Sequence, residues 1–253
     1  MKISIITITR NNAEGLQRTI DSIGSQRHVH EVEHIVVDGE STDGTSGVLA
    51  GARTEPELIS RSPRGVYDAI NAGIEAATGD VIGLLHAGDT YSDRHVLDDV
   101  IATFDSHPDT DFIFGDVYFA VPGGRIARYY SGAECGPHAI VAGLQPPHPS
   151  MFIRREAQLR AGLYNADYPS AGDFEMFVRL FMVHTELQWE YLPRNMVCMQ
   201  PGGVSATLYN RLWGNNRQRM RAFRENNVSS SFIRILPHYF HVLKSYLWRI
   251  PRK

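Results

Sequence analysis

Residues 33–45 read Glu33-His34-Ile35-Val36-Val37-Asp38-Gly39-Glu40-Ser41-Thr42-Asp43-Gly44-Thr45. The segment His34 to Asp38 is apolar and β-branched and closes on an acid, which predicts a buried strand ending at Asp38. Gly39 to Thr45 is a cluster of turn formers leading into a helix. The same unit recurs on both sides. Upstream, Ile3 to Thr9 predicts a strand, Asn11 and Asn12 are helix-capping types, and Leu16, Ile20 and Ile23 then repeat at helical spacing. Downstream, Leu58 to Ser60 predicts a short strand. Asp68 to Ala77 predicts a helix, and Val81 to Leu85 a fully apolar strand. Val96 to Phe104 predicts a further helix, and Asp111 to Val117 a fifth strand. Strands alternating with helices predict an α/β fold, a mostly parallel sheet with helices on both faces. Such sheets bind ligands beyond the carboxyl ends of their strands. Asp38 and the segment His86-Ala87-Gly88-Asp89 both sit there.

The middle of the chain is less regular. Gly123-Gly124, Gly132, Gly136 and Pro146-Pro147 predict turns and a binding loop within residues 118–150. Ser150 to Ile153 is strand-like. Asp173 to Met182 carries Phe174, Phe177, Val178, Phe181 and Met182 on one face of a helix.

With 253 residues, 43% hydrophobic and 21% charged, the chain has the composition of a globular protein that needs no staples. Its two cysteines, Cys135 and Cys198, form no zinc-spaced pair, so reduced thiols in a cytoplasmic setting are expected. The first strand is too short for a signal-peptide core, and no run of eighteen apolar residues occurs. The net charge of -3 is uneven: Leu208 to Lys253 holds ten Lys/Arg and the single acid Glu225, a balance of +9, which leaves -12 on residues 1–207. The tail is therefore expected to be a separate piece. Phe232, Ile235, Leu236, Tyr239, Leu243, Tyr246, Leu247 and Ile250 repeat at helical spacing, with Pro237 ending or kinking that helix near its start. Arg211, Arg217, Arg219, Arg221 and Arg224 precede it. Two readings stay open. Either the helix docks its apolar stripe on the rest of the protein, or it lies in a membrane interface with its basic groups on anionic lipid.

Four groups carry candidate chemistry. Asp89, after a strand in a small flexible run, is either a metal ligand or the cap of the next helix. Asp38 either accepts hydrogen bonds from a base or ribose or simply forms the Asp38-Gly39 turn. Asp173 is either a general base or a helix cap; a helix N-terminus lowers its pKa, so a bound partner must desolvate it before it serves as a base. His148, between Pro147 and Pro149, is read as a binding rather than a catalytic group. Asp43 is read as turn and cap chemistry.

Taken in order, these motifs resemble glycosyltransferase family 2, the inverting enzymes with the nucleotide-sugar GT-A fold. The resemblance rests on Ser4 to Asn11, on Glu33 to Thr45, and on Gly65-Val66-Tyr67-Asp68-Ala69-Ile70-Asn71-Ala72-Gly73-Ile74 followed by Ala77-Thr78-Gly79-Asp80. It covers roughly residues 2–205 and is similar to the branch acting in bacterial exopolysaccharide assembly, such as colanic-acid-type transferases. It implies a catalytic domain over residues 1–207, with a nucleotide-sugar half (1–117) and an acceptor half (118–207), and a basic helical tail over 208–253. It implies that Asp38 contacts the base, that Thr7, Thr9 and Asn11 meet the nucleotide, and that Asp68 and Asn71 lie near the donor diphosphate and sugar. It further implies that Asp89 is the last acid of the metal motif, holding Mn2+ or Mg2+, and that Asp173 is the catalytic base. His86 and His148 are candidate substrate contacts. Two positions depart from the pattern. His86 stands where the metal motif usually has its first acid, so one carboxylate is left to hold the metal, and Gly172 stands where an acid often precedes the base.

The expected function is therefore inverting transfer of a sugar from a nucleotide diphosphate, UDP favoured, to an acceptor hydroxyl. The acceptor expected is a lipid-linked saccharide at the inner face of the plasma membrane, with no nucleic acid as partner. Two alternatives are another nucleotide-phosphate-handling α/β enzyme and a non-catalytic sugar- or nucleotide-binding protein. Against the first, the loop Arg10 to Gly15 lacks a P-loop pattern.

Overall fold

The computed structural model describes residues 1–27, 31–121, 125–200 and 215–247. Its core is one nine-stranded sheet in the order β3-β2-β1-β4-β8-β6-β9-β5, with β7 also paired to β6. The first four members are parallel: β1 (Ile3–Thr9) lies between β2 (Val32–Asp38) and β4 (Val81–Leu84), and β3 (Glu57–Ser60) flanks β2. Beyond β4 the sheet is mixed. β8 (Phe152–Arg154) runs antiparallel to both β4 and β6 (Phe112–Ala120), and β9 (Trp189–Met199) is parallel to β6. The two-residue β5 (Thr90–Tyr91) and β7 (Ile126–Tyr130) complete it.

The alternation of side chains along β1 explains the two covered faces. Ile6 joins Ile35, Val37 and Ile70 in one buried cluster, against α3 (Val66–Ala76), α6 (Arg155–Ala161) and α7 (Gly172–Val178). Ile3 and Ile5 point the other way, into a cluster with Ile23 of α1 (Ala13–Gly24) and Val96, Leu97, Val100 and Phe104 of α4 (Val96–Ser106). Two short helices, α2 (Thr45–Ala50) and α5 (Pro137–Val141), fill connections.

The helix expected over Asp173 to Met182 begins as α7 and continues as a π-turn over Arg179–Val183. Arg179 fixes it there, pairing with Glu175 and donating to the Leu163 carbonyl at 2.8 Å. The tail forms α8 (Asn215–Glu225) and α9 (Pro237–Leu247). Pro237 opens α9 rather than interrupting a longer helix, since its missing N–H is tolerated in a first turn. Arg211, Arg249, Ile250 and the loop Gly202-Gly203-Val204-Ser205 lie outside the described residues.

Candidate active site

The carboxyl ends of β1, β2 and β4 bring Thr9, Asp38 and the His86–Asp89 loop to one edge of the sheet, with Thr9 paired to Asp38 in register. Two loops are laced together above them. Asn11, in the left-handed region at φ 49°, accepts from Thr42 N–H at 2.8 Å, and Ser41 Oγ accepts from Asn11 N–H at 2.8 Å. Asp38 accepts from the Ser41 hydroxyl at 2.5 Å, which holds the carboxylate at the strand end. Asp43 accepts from Ala13 N–H at 3.0 Å and from Thr45, so it is a brace between the loop and α1, as expected. The Thr9 hydroxyl is buried without a partner.

Two of the expected donor contacts are spent inside the fold. Thr7 is 0% exposed, and its hydroxyl donates to the Leu85 carbonyl at 2.7 Å, beside His34 at 3.0 Å. It is a core residue, on the same face of β1 as Thr9 but one pleat further back from the strand's carboxyl end. The Asn71 amide donates to the Tyr164 carbonyl and accepts from Tyr164 N–H, both at 2.8 Å. That pair of bonds clamps α3 to the segment after α6 and leaves the side chain no free group to offer a donor.

Asp68 accepts from Arg61 at 2.9 Å and from Arg64 N–H at 3.0 Å. The two arginines stay solvent-accessible beside it. No local sequence pattern marks this pairing, because it depends on the loop between β3 and α3 folding back over Asp38, whose carbonyl accepts from Arg61 N–H at 3.1 Å.

The His86–Asp89 loop turns at Gly88, whose φ of +109° suits a residue without a β-carbon. Thr19 on α1 holds the turn, accepting from Gly88 N–H at 3.0 Å and reaching the Asp89 carbonyl at 2.8 Å. Asp89 is 8% exposed, and burial pushes its carboxyl up to about 7, against a hydrogen bond from Gln200 N–H. A carboxyl so displaced gains from a cation. His86 Nδ1 is buried without a partner, and burial, then His148, holds the imidazole neutral with its pKa down at about 3. Among the described residues no group of three or more His, Cys, Asp or Glu is arranged to hold a metal.

Asp173 stands in the first turn of α7. Gln145 donates to it at 2.6 Å, Tyr67 at 3.3 Å and Phe174 N–H at 2.9 Å. Burial, then Asp173 itself, raises the Tyr67 phenol, so it remains a donor. Tyr67 stacks on Tyr164 with centroids 5.9 Å apart, and Tyr164 OH meets His148 Nε2 at 2.8 Å. His148 lies 6.4 Å from the His86 ring and is held neutral by burial, against the charge of Asp173. The structure thus gathers His86, His148 and Asp173, and adds Gln145, Tyr67 and Tyr164 from scattered segments. Gly172 lacks a side chain because the Tyr67 ring lies 2.7 Å from where its β-carbon would be.

The tail closes this side. Gln218 of α8 accepts from Ser170 and Ala171 N–H at 3.2 and 3.0 Å, and Phe223 packs edge-on against Phe174 at 5.3 Å. On α9, Ser245 accepts from Arg128 at 2.6 Å and His241 lies edge-on to Tyr130. The inner face of the tail is therefore docked. Its outer face exposes Phe232, Ile233, Leu236, Phe240 and Leu243.

The sequence model described as Glycosyl transferase family 2 matches residues 4–177. A PGL/p-HBAD biosynthesis glycosyltransferase of Mycobacterium bovis is 31% identical over 182 residues, 70% of this chain and 69% of its own. Among solved structures, Staphylococcus aureus TarS 1–349 in complex with UDP superposes with a TM-score of 0.70 at 17% identity, covering 98% of this chain and 71% of that one. This chain spans 43% of a longer TarS structure. Glucosyl-3-phosphoglycerate synthase of Mycobacterium tuberculosis, with Mn2+, UDP and phosphoglyceric acid, gives 0.62 at 15% identity, covering 91% and 80%. At these identities the structural likeness establishes the fold, a GT-A arrangement.

Proposed function

The chain belongs to glycosyl transferase family 2, and from that premise we propose that it moves a sugar from a nucleotide diphosphate, UDP favoured, to an acceptor hydroxyl by one in-line displacement. The observation carrying this reading is that the loop bearing Asp89, a buried carboxyl that gains from a cation, meets the surroundings of Asp173, a carboxylate oriented by Gln145 and Tyr67: the His86 and His148 rings lie 6.4 Å apart, and His148 feels the charge of Asp173. The acceptor oxygen forms its bond to the anomeric carbon as its proton passes to Asp173. The bond from that carbon to the diphosphate breaks, and UDP leaves with the electron pair. One displacement inverts the anomeric centre. Thr9, Asn11 and Asp38 receive the nucleoside, with Arg61 and Arg64, held by Asp68, on the phosphate side. His86 and His148 line the space between donor and acceptor.

A divalent ion fits Asp89 as one carboxylate sharing the metal with the donor's own phosphate oxygens, since such ions need few protein ligands beside substrate phosphates. When bound, Mn2+ or Mg2+ neutralises the diphosphate as it departs. The solved synthase in complex with both Mn2+ and UDP supports a divalent ion as companion to the nucleotide. The test is release of UDP from a panel of UDP-, GDP- and dTDP-sugars by wild type and Asp173→Asn. Turnover by wild type that the substitution removes supports the reading, and equal turnover contradicts it.

We further propose that residues 1–207 act as the catalytic unit, that the acceptor is a saccharide carried on lipid in cell-surface polysaccharide synthesis, and that residues 208–253 hold the enzyme on the inner leaflet. No described helix is long and apolar enough to cross a membrane. The support is the outer face of the tail, where Leu236, Phe240 and Leu243 follow at i, i+4 and i+7 and are 52%, 75% and 59% exposed, with Arg234 exposed beside them. Apolar side chains in the headgroup boundary with basic groups on anionic lipid are the marks of an interfacial helix. Sedimentation with phosphatidylglycerol vesicles should capture the full chain, less so at high salt, and not the triple variant F232S/F240S/L243S. Equal capture of both, or capture of neither, contradicts it.

A further inference from the structure

Arg219 of α8 is a buried cation without a counter-ion. It is 9% exposed, its Nε has no hydrogen-bond partner, and its guanidinium contacts only Asn216 Oδ1 at 3.4 Å and the Phe174 ring at 5.3 Å. Among the described residues no carboxylate lies within ion-pair distance of it. Asp173, the residue before Phe174, is the acid whose charge it feels. Three hydrogen bonds lock the guanidinium's neighbourhood to that acid, because Gln218 bridges α8 to Ser170 and Ala171 just ahead of α7.

The surroundings are cationic as well. His238 of α9 has a buried, unpartnered Nδ1, and burial, then the charges of Arg219, His241 and Arg128, disfavour its protonation. His241 faces Glu134 at 3.4 Å, and Arg128 lies over Tyr130 at 5.3 Å and donates to Ser245. An unpaired guanidinium is costly to bury. A purely structural side chain here would need only the ring contact and the bond to Asn216, which a neutral amide supplies without that penalty. A guanidinium with its Nε unpaired is suited to phosphate oxygens, which its fork of donors meets two at a time.

We infer that α8 and α9 build a phosphate site beside Asp173, from the Arg219 guanidinium with His238 at its rim, and that it takes a phosphate carried by the acceptor. This rests on the transferase reading above. In an in-line displacement the base and the leaving group stand on opposite sides of the reacting carbon. Arg219 stands with the base, so the phosphate within its reach belongs to the acceptor rather than to the departing nucleotide. The donor is the other possible source of the same chemistry.

Geranyl phosphate, with geraniol as the uncharged control, separates these sources. With UDP already bound, calorimetric titration of the full chain should show binding of geranyl phosphate. Arg219→Gln should weaken it at least tenfold and Arg219→Lys less, while geraniol and UDP affinities stay unchanged. His238→Ala, at a partly exposed position, should weaken it several-fold and carries the test if Arg219→Gln does not fold. If geranyl phosphate competes with UDP and Arg219→Gln lowers UDP affinity equally, the site serves the donor and the acceptor assignment is overturned. Unchanged geranyl phosphate binding in the folded variants overturns the site itself. Absence of UDP binding by wild type would instead contradict the UDP donor on which the reading rests, so the two failures are distinguishable.

Discussion

The ring of Tyr67 occupies the space in which Gly172 would carry a β-carbon, the nearest ring atom 2.7 Å from that position. The same phenol donates to Asp173 at 3.3 Å. An acid at position 172 and an aromatic brace on Asp173 therefore exclude one another, and this chain has the brace. Gly172→Ala should destabilise the fold by about 1–3 kcal/mol, the usual effect of overpacking a close contact. It should also lower turnover, because the displaced phenol no longer orients the carboxylate. Denaturant unfolding and steady-state rates check both, and an unchanged midpoint would mean that the ring moves aside freely.

Asp173→Asn keeps the shape of the side chain but removes its capacity to take a proton. Turnover should fall ~10²–10⁴-fold, the range of general-base assistance. UDP affinity should stay within about twofold, since none of the expected nucleotide contacts involves α7. A collapse of UDP affinity would make Asp173 a binding residue instead.

Asn71→Ala should behave as a stability variant. It strips partners from both the N–H and the C=O of Tyr164, a residue 3% exposed. Each buried group left unsatisfied costs about 1–3 kcal/mol. Equilibrium unfolding should register that loss while UDP affinity is retained. Weaker UDP binding at full stability would restore Asn71 to the donor site.

Glu33 sets an acid limb. Burial opposes its ionisation, yet hydrogen bonds from Lys2, Ser4 and Thr78 outweigh this and hold the carboxyl at about 2, below its ordinary 4.5. A carboxyl depressed in the folded state contributes stability above its unfolded pKa, and that contribution disappears as pH falls from 4.5 through 2. Glu33→Gln should lower the melting temperature at neutral pH and flatten the fall between pH 5 and 2. Parallel curves for the two proteins would show that the charge is not what holds β1, β2 and the turn before β4 together.

The parallel half of the sheet was legible because its inner strands β2 and β4 are built on apolar runs ended by turn formers. His34 to Asp38 and Val81 to Leu85 show this directly. β9 was not, since Trp189 to Met199 mixes Glu190, Arg194 and Asn195 into a strand that pairs with β6 on one side and the two-residue β5 on the other. Position after a strand placed Asp38 and Asp89 at the carboxyl edge of the sheet, as expected. Thr7 lies one pleat deeper in β1 than Thr9, where its hydroxyl is taken up by the Leu85 carbonyl. The hydrogen bonds of Gln145 and Tyr67 to Asp173 carry no mark of their own in the sequence, as they arise from contacts between distant segments. In the tail, Ile235 and Ser245 are buried, while Phe240 and Leu243 face outward.

Binding of UDP with and without Mn2+ tests the account most directly, measured by calorimetry on wild type and Asp89→Asn between pH 6 and pH 8. Asp89 titrates at about 7 when no ion is present, and only its ionised form can hold a cation. In wild type, Mn2+ should therefore strengthen UDP binding, and by more at pH 8 than at pH 6. Asp89→Asn should bind UDP weakly and identically with or without the ion at either pH. Equal Mn2+ dependence in both proteins would contradict the assignment of Asp89, and absence of UDP binding to wild type under every condition would contradict the proposed UDP donor.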